Sequence, residues 1–234
     1  MNSIIEGFLK AFSLILTLDR ELVGIIILSL QVSGTALLIA SLIGIPAGTI
    51  TGLMKFPGRG FIIMLSNTFM GLPPVVVGLF VYLILSRSGP LGFMGLLYTP
   101  SAMIVAQIIL ALPIVTSLCH SAIVNIDPIM GQAAATLGAT PYQKALAIVR
   151  EARHGIFSGI IAGLGRVMAE VGAILIVGGN IAGYTRVMTT TIALETDKGN
   201  FELALALGII LLIISLLINM VLYVFQKKGA QRRP

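Results

Sequence analysis

The 234-residue sequence has no tryptophan, a single cysteine and only 10% charged residues. Soluble chains carry roughly 25% charged residues, so this low fraction excludes an ordinary soluble domain. The lone Cys119 cannot form a disulfide within the chain, so cysteine content does not indicate a redox compartment. The N-terminal residues MNSIIEGFLK lack the positive start and the cleavage site of a signal peptide, and we expect the whole chain to be mature protein.

Motifs for catalysis are also missing. No lysine is followed by Ser or Thr, which excludes the phosphate-binding P-loop, and there is no His-Glu-x-x-His motif or nucleophile–base set. Cys119 and His120 are adjacent, so on a helix they point to different faces, and no further metal ligands accompany them. The sequence therefore predicts no catalytic residue, no metal site and no cofactor bound by this chain.

Hydrophobic residues make up 57% of the chain, and the mean hydropathy is +1.04. Residues 22–54 carry no charge, and this run exceeds the roughly 20 residues that cross a bilayer. Four more apolar segments cover about residues 61–85, 101–124, 155–178 and 203–225. We predict an all-α polytopic membrane protein with about five transmembrane helices. The net charge of +6 lies in loops beside these segments, where it sets membrane orientation and predicts no nucleic-acid partner.

The two ends of the chain have their own patterns. Residues 3–18 place polar and apolar side chains on opposite helical faces, so residues 1–21 are predicted to form an amphipathic segment at the membrane interface. Residues 226–234 are basic, and we expect a disordered cytoplasmic tail there.

Glycines and prolines mark the spans. Glycine recurs every fourth residue in the first and fourth spans, which predicts small-residue faces for close helix packing: Gly44, Gly48 and Gly52, then Gly155, Gly159 and Gly163. Pro46 is expected to kink the first span, and Pro113 to interrupt the third.

Five residues inside the spans are candidates for a translocation path or gate. Pro73 and Pro74 should break the second span, and irregular backbone at that depth is tolerated only against protein or a water-filled cavity. The break is therefore either a pore-lining element or a packed kink.

Arg166 and Glu170 should pair at i, i+4, because each unpaired charge costs about 2.5–3.5 kcal/mol at the bilayer centre. Function and a structural ion pair both remain open, and the span should end near Asn180.

Residues 127–151 form the longest polar-enriched interruption, and the pattern predicts two short helices separated by a glycine. Asp127 and Thr140 are good N-caps, each followed by a proline, and Gly138 is the expected left-handed stop. The first helix has one small apolar face, made by Ile129, Met130, Ala133, Ala134 and Leu137. Such a hairpin offers small residues to something at the membrane surface.

These residues carry a family resemblance. Gln132-Ala133-Ala134, then Gly138, then Ile148 resembles the EAA loop of the membrane subunits of ABC importers, whose pattern is Glu-Ala-Ala, three residues, Gly, nine residues, then Ile-x-Leu-Pro. The chain departs from that pattern at Gln132 and at Arg150-Glu151. The resemblance implies that the hairpin is the coupling helix, which docks on a separate ATP-hydrolysing subunit through Gln132, Ala133, Ala134, Leu137 and Gly138. The alternative is an ordinary cytoplasmic loop with two capped helices.

The resemblance extends over most of the chain. Four segments are similar to the molybdate and sulfate importer permeases: Leu30–Ser33, Gly44–Pro46, Leu72–Gly78 and Ala169–Ala173. Residues 176–190 look most like the tungstate permease branch. The resemblance implies a type I importer transmembrane domain over about residues 26–223. It also implies two permease copies, two ATPase subunits that bind ATP and Mg, and an extracytoplasmic binding protein that delivers an oxyanion for alternating-access import across the bacterial inner membrane.

Orientation follows from the loop charges. If the hairpin is cytoplasmic, nine Lys and Arg residues lie on that side and five lie on the other, which places the C-terminus inside. The rival function is a secondary transporter or channel driven by an ion gradient, with Arg166 and Glu170 as the relay. Inverted repeats would support that rival, and none is visible. A membrane-embedded enzyme is a third, weaker alternative.

Overall fold

The computed structural model describes residue 9, residues 12–13 and residues 20–230. These residues form helices joined by short connections, with one 3₁₀ turn at Gly92–Met94 and no strand. The predicted segment 1–21 and the last four residues lie almost wholly outside the described part. The nine helices of the described part are α1 (Arg20–Leu53), α2 (Arg59–Met70), α3 (Pro74–Leu85), α4 (Pro100–Val124), α5 (Pro128–Thr136), α6 (Pro141–Met168), α7 (Gly172–Gly178), α8 (Met188–Asp197) and α9 (Phe201–Ala230).

Three of the described helices, α1, α4 and α9, are long and apolar enough to cross a membrane. The pairs α2–α3 and α6–α7 also pass that test, but they bend by 106° and 58° at short breaks. Counting each bent pair as one crossing gives five spans. The prediction of an all-α membrane protein with about five spans is confirmed.

Helix α4 lies at the centre of the bundle, between the two glycine faces. A Cβ atom added to Gly48 of α1 would lie 2.6 Å from the carbonyl oxygen of Thr116, and one added to Gly155 of α6 would lie 2.6 Å from the Cβ of Ala122. Both contacts are closer than any larger residue permits. The predicted glycine faces are therefore the surfaces on which α1 and α6 pack against α4.

A second core cluster joins α3, α4 and α7 with the middle of α1. Its buried members are mostly valine, alanine and leucine, and Met103 fills the space beside Gly178. A Cβ on Gly78 of α3 would lie 2.8 Å from the Cα of Ala173 in α7. The short helix α7 therefore touches the backbone of α3 directly.

Three predicted boundaries are wrong. Pro113 does not interrupt the third span; it lies buried inside the continuous α4, because packing on both sides retains a helix that lacks one hydrogen bond. Helix α6 begins at Pro141, so the second hairpin helix is not short but continues into the fourth span. Helix α9 continues to Ala230 and not only to Phe225, because Gln and Lys favour helix.

Candidate coupling hairpin and helix breaks

The hairpin is built by its own local signals. The side chain of Asp127 accepts a hydrogen bond of 2.9 Å from the Ile129 amide, which caps α5. Gly138 has a φ of 80°, the left-handed conformation that ends this helix. Thr140 then caps α6, and Gln143 completes a capping box by accepting from the Thr140 amide at 2.8 Å. The predicted helix–glycine–helix hairpin and its two caps are confirmed.

The apolar face of α5 points away from the chain. Leu137 is 87% exposed and Ile129 is 66% exposed, while Tyr142 at the start of α6 is 77% exposed. Gln132 and Ala133 are exposed and Ala134 is half-buried, whereas Gly131 faces the Lys144 side chain of α6. Large apolar side chains at such exposure on a capped helix indicate a contact surface for another molecule.

The hairpin is connected directly to the membrane-spanning bundle. Helix α6 runs without interruption from Pro141 to Met168, which corresponds to about 42 Å at 1.5 Å per residue. Its first turn lies in the hairpin, and its last turn lies beside the break that precedes α7. One continuous helix therefore connects the hairpin to that break.

The first break separates α2 from α3. Helix α2 ends at Met70, and α3 starts at Pro74 after the extended residue Pro73. The carbonyl oxygen of Pro73 accepts hydrogen bonds from the Val76 and Val77 amides at 3.0 and 3.2 Å. The tandem prolines therefore break the span, as their sequence predicts, because neither nitrogen can donate to a preceding turn.

The second break, at residues 169–171, is held by side chains from other helices. The Gln107 amide of α4 donates to the Val167 carbonyl oxygen at 2.9 Å. The Thr189 hydroxyl of α8 donates to the Glu170 carbonyl oxygen at 2.8 Å. The buried carboxylate of Glu170 accepts from the Ala173 amide at 2.9 Å, which satisfies a free donor at the start of α7.

The two breaks lie against one another. Arg166 Nη2 donates to the Leu72 carbonyl oxygen at 3.0 Å, so the last turn of α6 satisfies a backbone group at the first break. A Cβ on Gly172 would lie 2.8 Å from the Val75 side chain. The two breaks are therefore in direct contact: Arg166 binds the backbone of the first break and Gly172 lies against Val75, while Glu170 is buried and Pro73 is exposed.

The predicted ion pair between Arg166 and Glu170 is wrong. Among the described residues the ion pairs join other groups, and each of these two side chains instead binds backbone. The i, i+4 geometry is lost because α6 ends at Met168, before Glu170. This arrangement removes the basis for an Arg–Glu relay.

Asn180 lies at the far end of α7, away from the breaks. It has a φ of 50° and follows the left-handed Gly179, so the span ends where it was predicted to end. Its Nδ2 donates to the Thr190 carbonyl oxygen at 3.4 Å. The buried Thr185 hydroxyl also donates to the Gly178 carbonyl oxygen at 2.6 Å and closes this end of the helix.

Sequence reasoning missed the structural roles of Gln107, Thr185 and Thr189. Gln107 is a polar residue in an apolar span, and such residues bind neighbouring helices; this signal pointed to a contact but not to its partner. The threonines lie in a connection that was not predicted to contain α8. Nothing local in the sequence connects them to residues 169–178.

Apolar spans, two packed breaks and an exposed capped hairpin define a multi-pass helical membrane protein. The family model described as binding-protein-dependent transport system inner membrane component matches residues 44–232. The chain belongs to this family of transporter membrane subunits, as its sequence motifs predicted.

Several relatives are similar over nearly their full length. The tungstate uptake system permease protein TupB of Peptoclostridium acidaminophilum is 42% identical, over 97% of this chain and 100% of that protein. The TupB protein of Campylobacter jejuni is 36% identical, over 94% and 92%. A probable anion ABC transporter permease protein of Haloferax volcanii is 45% identical, over 85% and 88%.

Solved structures show the same fold. A bacterial alginate ABC transporter, in complex with a periplasmic protein that carries an alginate pentasaccharide, matches with a TM-score of 0.75 at 21% identity. The match covers 99% of this chain and 87% of that one. The fold is therefore that of an ABC importer transmembrane domain, as predicted.

Proposed function

We propose that this chain is the permease subunit of an ATP-driven importer that moves an oxyanion, with tungstate as the first candidate and molybdate or sulfate as alternatives. Family membership and the two tungstate permease relatives support this class of substrate. The observation that carries the mechanism is the exposed, glycine-hinged hairpin at the start of α6, whose other end reaches the paired helix breaks.

The proposed partner of the hairpin is a separate ATPase subunit, and the proposal assigns the binding of ATP and Mg to that subunit. Its contact surface comprises the exposed and half-buried residues of α5 and the following turn, namely Gln132, Ala133, Ala134, Leu137 and Gly138. Because the ATPase works in the cytoplasm, the hairpin and the C-terminus lie on that side. The nine-to-five charge distribution supports this orientation.

Two further partners complete the proposed assembly. A second copy of this chain forms the other half of the pathway, and an extracytoplasmic binding protein delivers the anion. The solved alginate importer, which is in complex with a periplasmic protein, supports a partner of this kind. The chain lies in the inner membrane, and its many exposed apolar side chains on α1, α3 and α9 face lipid or the second copy.

The proposed mechanism is alternating access. ATP favours the state in which the ATPases close on each other, and it shifts the equilibrium only by its difference in affinity for the two states. Each hairpin moves with its ATPase, and α6 transmits that motion to the breaks. Pro73, Pro74, Arg166, Glu170 and Asn180 are proposed to line or gate the path. The capping bond of the Glu170 carboxylate supports a gating role over direct contact with a dianion, which it would repel.

Reconstitution tests this function. The permease, its ATPase and a tungstate-loaded binding protein are placed in proteoliposomes, and tungstate uptake is measured with ATP inside and with ion gradients collapsed by ionophores. Uptake should require ATP and the ATPase subunit and should survive the ionophores. Gradient-driven uptake by the permease alone would overturn the proposal.

A further inference from the structure

A cavity of about 630 Å³ opens at the outer end of α3, beneath the loop of residues 86–99. Its polar lining consists of three consecutive loop residues and two tyrosines: Ser86, Arg87, Ser88, Tyr82 and Tyr98. None of the described residues that line it is an Asp or a Glu. The cavity therefore presents one cation and several hydroxyl groups, and no lining group repels an anion.

The loop that carries Arg87 has a defined shape. The Leu91 amide donates to the Ile84 carbonyl oxygen at 3.0 Å, which folds the loop back on the end of α3. Gly89 approaches the Leu83 carbonyl oxygen so closely that a Cβ atom has no room there, and Gly92 approaches Ser86 in the same way. The segment from Ser86 to Ser88 is therefore held in place before any ligand arrives.

Tyr98, on the opposite wall, has a backbone conformation that is costly for a tyrosine. Its φ is 61°, and non-glycine residues held there cluster at functional sites. The Tyr98 amide donates to the Val177 carbonyl oxygen at 2.9 Å, and its ring covers Gly179, where a Cβ would lie 2.8 Å from it. The Tyr82 ring meets it edge-on at 6.3 Å. This packing holds both phenols at the cavity.

Arg87 differs from Arg186 and Lys198, two other cations at this end of the bundle. Arg186 lies 3.7 Å from Glu21, and Lys198 lies 2.9 Å from Glu195. Within residues 20–230, Arg87 has no carboxylate within ion-pair distance. A guanidinium with an exposed fork beside hydroxyl donors is the arrangement that binds a tetrahedral oxyanion through two parallel hydrogen bonds.

We propose that this cavity is an outer site for a tetrahedral oxyanion, with the Arg87 guanidinium as its main ligand and a phenol hydroxyl of the Tyr82–Tyr98 pair as a further donor, because the Ser86 hydroxyl already donates to the Leu83 carbonyl oxygen. The inference rests on the proposed function, because the anion that it receives is the transported one as the binding protein releases it. The site lies before the helix breaks on the inward path. The site gives the anion a cationic partner before the anion reaches the carboxylate of Glu170.

Direct binding of tungstate tests the site. The assembled permease and ATPase are placed in nanodiscs of neutral lipid, and tungstate binding is measured by equilibrium dialysis without the binding protein. Arg87→Gln should weaken binding by about 10- to 100-fold, the range expected for a lost charged hydrogen bond. Arg87→Lys, which keeps the charge without the fork, should lose less. Arg20→Gln is the matched control, because it removes an outer cation that does not line the cavity, and it should bind like wild type.

Equal binding by wild type and Arg87→Gln would overturn the outer site, and so would equal binding by Arg87→Lys and Arg87→Gln. A lipid headgroup offers the same phosphate-like chemistry, so phospholipid retained from nanodiscs of anionic lipid is measured by mass spectrometry. If Arg87→Gln loses that lipid while tungstate binding is unchanged, the ligand is the headgroup and the proposal fails. ATP-dependent uptake by wild type is scored separately, so failure of the transport function is distinguished from failure of this site.

Discussion

The hairpin of residues 127–151 and the paired breaks at residues 71–73 and 169–171 are both departures from straight membrane helices, yet they are held in opposite ways. The hairpin is capped by residues within three positions of the amides that they cap. The second break is held by Gln107 and Thr189, which lie 60 and 19 positions away from the groups they bind. The hairpin leaves its apolar surface exposed, whereas backbone groups at the breaks are bound by side chains of other helices.

This difference separates two tasks. On the proposed function the hairpin binds another subunit, and its local caps keep its shape without that subunit. A break within a membrane bundle needs its freed backbone groups satisfied by neighbouring helices. The same change should therefore have different consequences in the two regions.

The largest effect should come from filling the contact between α3 and α7. In Gly78→Val the new side chain meets the backbone of Ala173, and overpacking of this kind costs about 1–3 kcal/mol or more. Gly34→Val is the matched control, because nothing lies within 4 Å of that glycine. The midpoint of thermal unfolding in detergent should fall clearly for Gly78→Val and change little for Gly34→Val. Equal midpoints for the two variants would contradict this packing.

A smaller loss is expected from removing the bonds that hold the second break. Gln107→Leu leaves the Val167 carbonyl oxygen without its side-chain donor, at a cost of about 1–3 kcal/mol. Thr189→Val removes the donor to Glu170 and should cost about 1 kcal/mol. A double-mutant cycle on thermal stability should show that the two losses are not additive, because both bonds hold one break. Strict additivity would mean that the break is not one unit.

These contacts also explain what the sequence could not predict. Pro73 and Pro74 predict the first break, because proline cannot donate a backbone hydrogen bond. Nothing near Glu170 interrupts a helix, so the i, i+4 pattern with Arg166 predicted an ion pair that does not form. The break exists because residues of α4 and α8 bind its backbone, and long-range contacts of this kind leave no local pattern.

The hairpin was predicted more accurately than the second break, because its signals are local in sequence. Asp127, Gly138 and Thr140 each act on neighbours in sequence, so their residue types and spacing were sufficient to locate α5 and its turn. The error concerned only the length of α6. The second hairpin helix was predicted to be short, whereas α6 continues through residues 150–153 into the fourth span because Arg, Glu and Ala favour helix.

Truncating the exposed hairpin should affect binding and leave stability unchanged. Leu137 is 87% exposed, so Leu137→Ala should change the free energy of unfolding by no more than about 0.5 kcal/mol. If Leu137 is an anchor in the ATPase groove, affinity for that subunit should fall by about tenfold or more. Phe93→Ala, at an equally exposed site on the other end of the bundle, is the control. Unchanged ATPase affinity would remove Leu137 from the interface.

The smallest effect is expected at the turn between α8 and α9. Hydrogen bonds from Lys198 and Asn200 lower the pKa of Glu195 below its ordinary value of 4.5, against the effect of its burial. A carboxyl group whose pKa is lower in the folded state stabilises the fold at pH values above its unfolded-state pKa. That stabilisation is lost as the pH falls through the folded-state pKa. Glu195→Gln should therefore destabilise the protein by less than about 1 kcal/mol at pH 7. The difference should vanish in acid; one that persists there would contradict the ionic contribution.

The most direct test of the account compares Gly138 with Gly199 in the reconstituted transporter. Both glycines have positive φ, 80° and 76°, and neither has an atom within 4 Å of an added Cβ, so valine strains both by about 1–3 kcal/mol. Only Gly138 lies in the hairpin. Gly138→Val should abolish the stimulation of ATP hydrolysis by the loaded binding protein, and Gly199→Val should retain it. Equal stimulation in the two variants would contradict the claim that the hairpin couples ATP hydrolysis to transport.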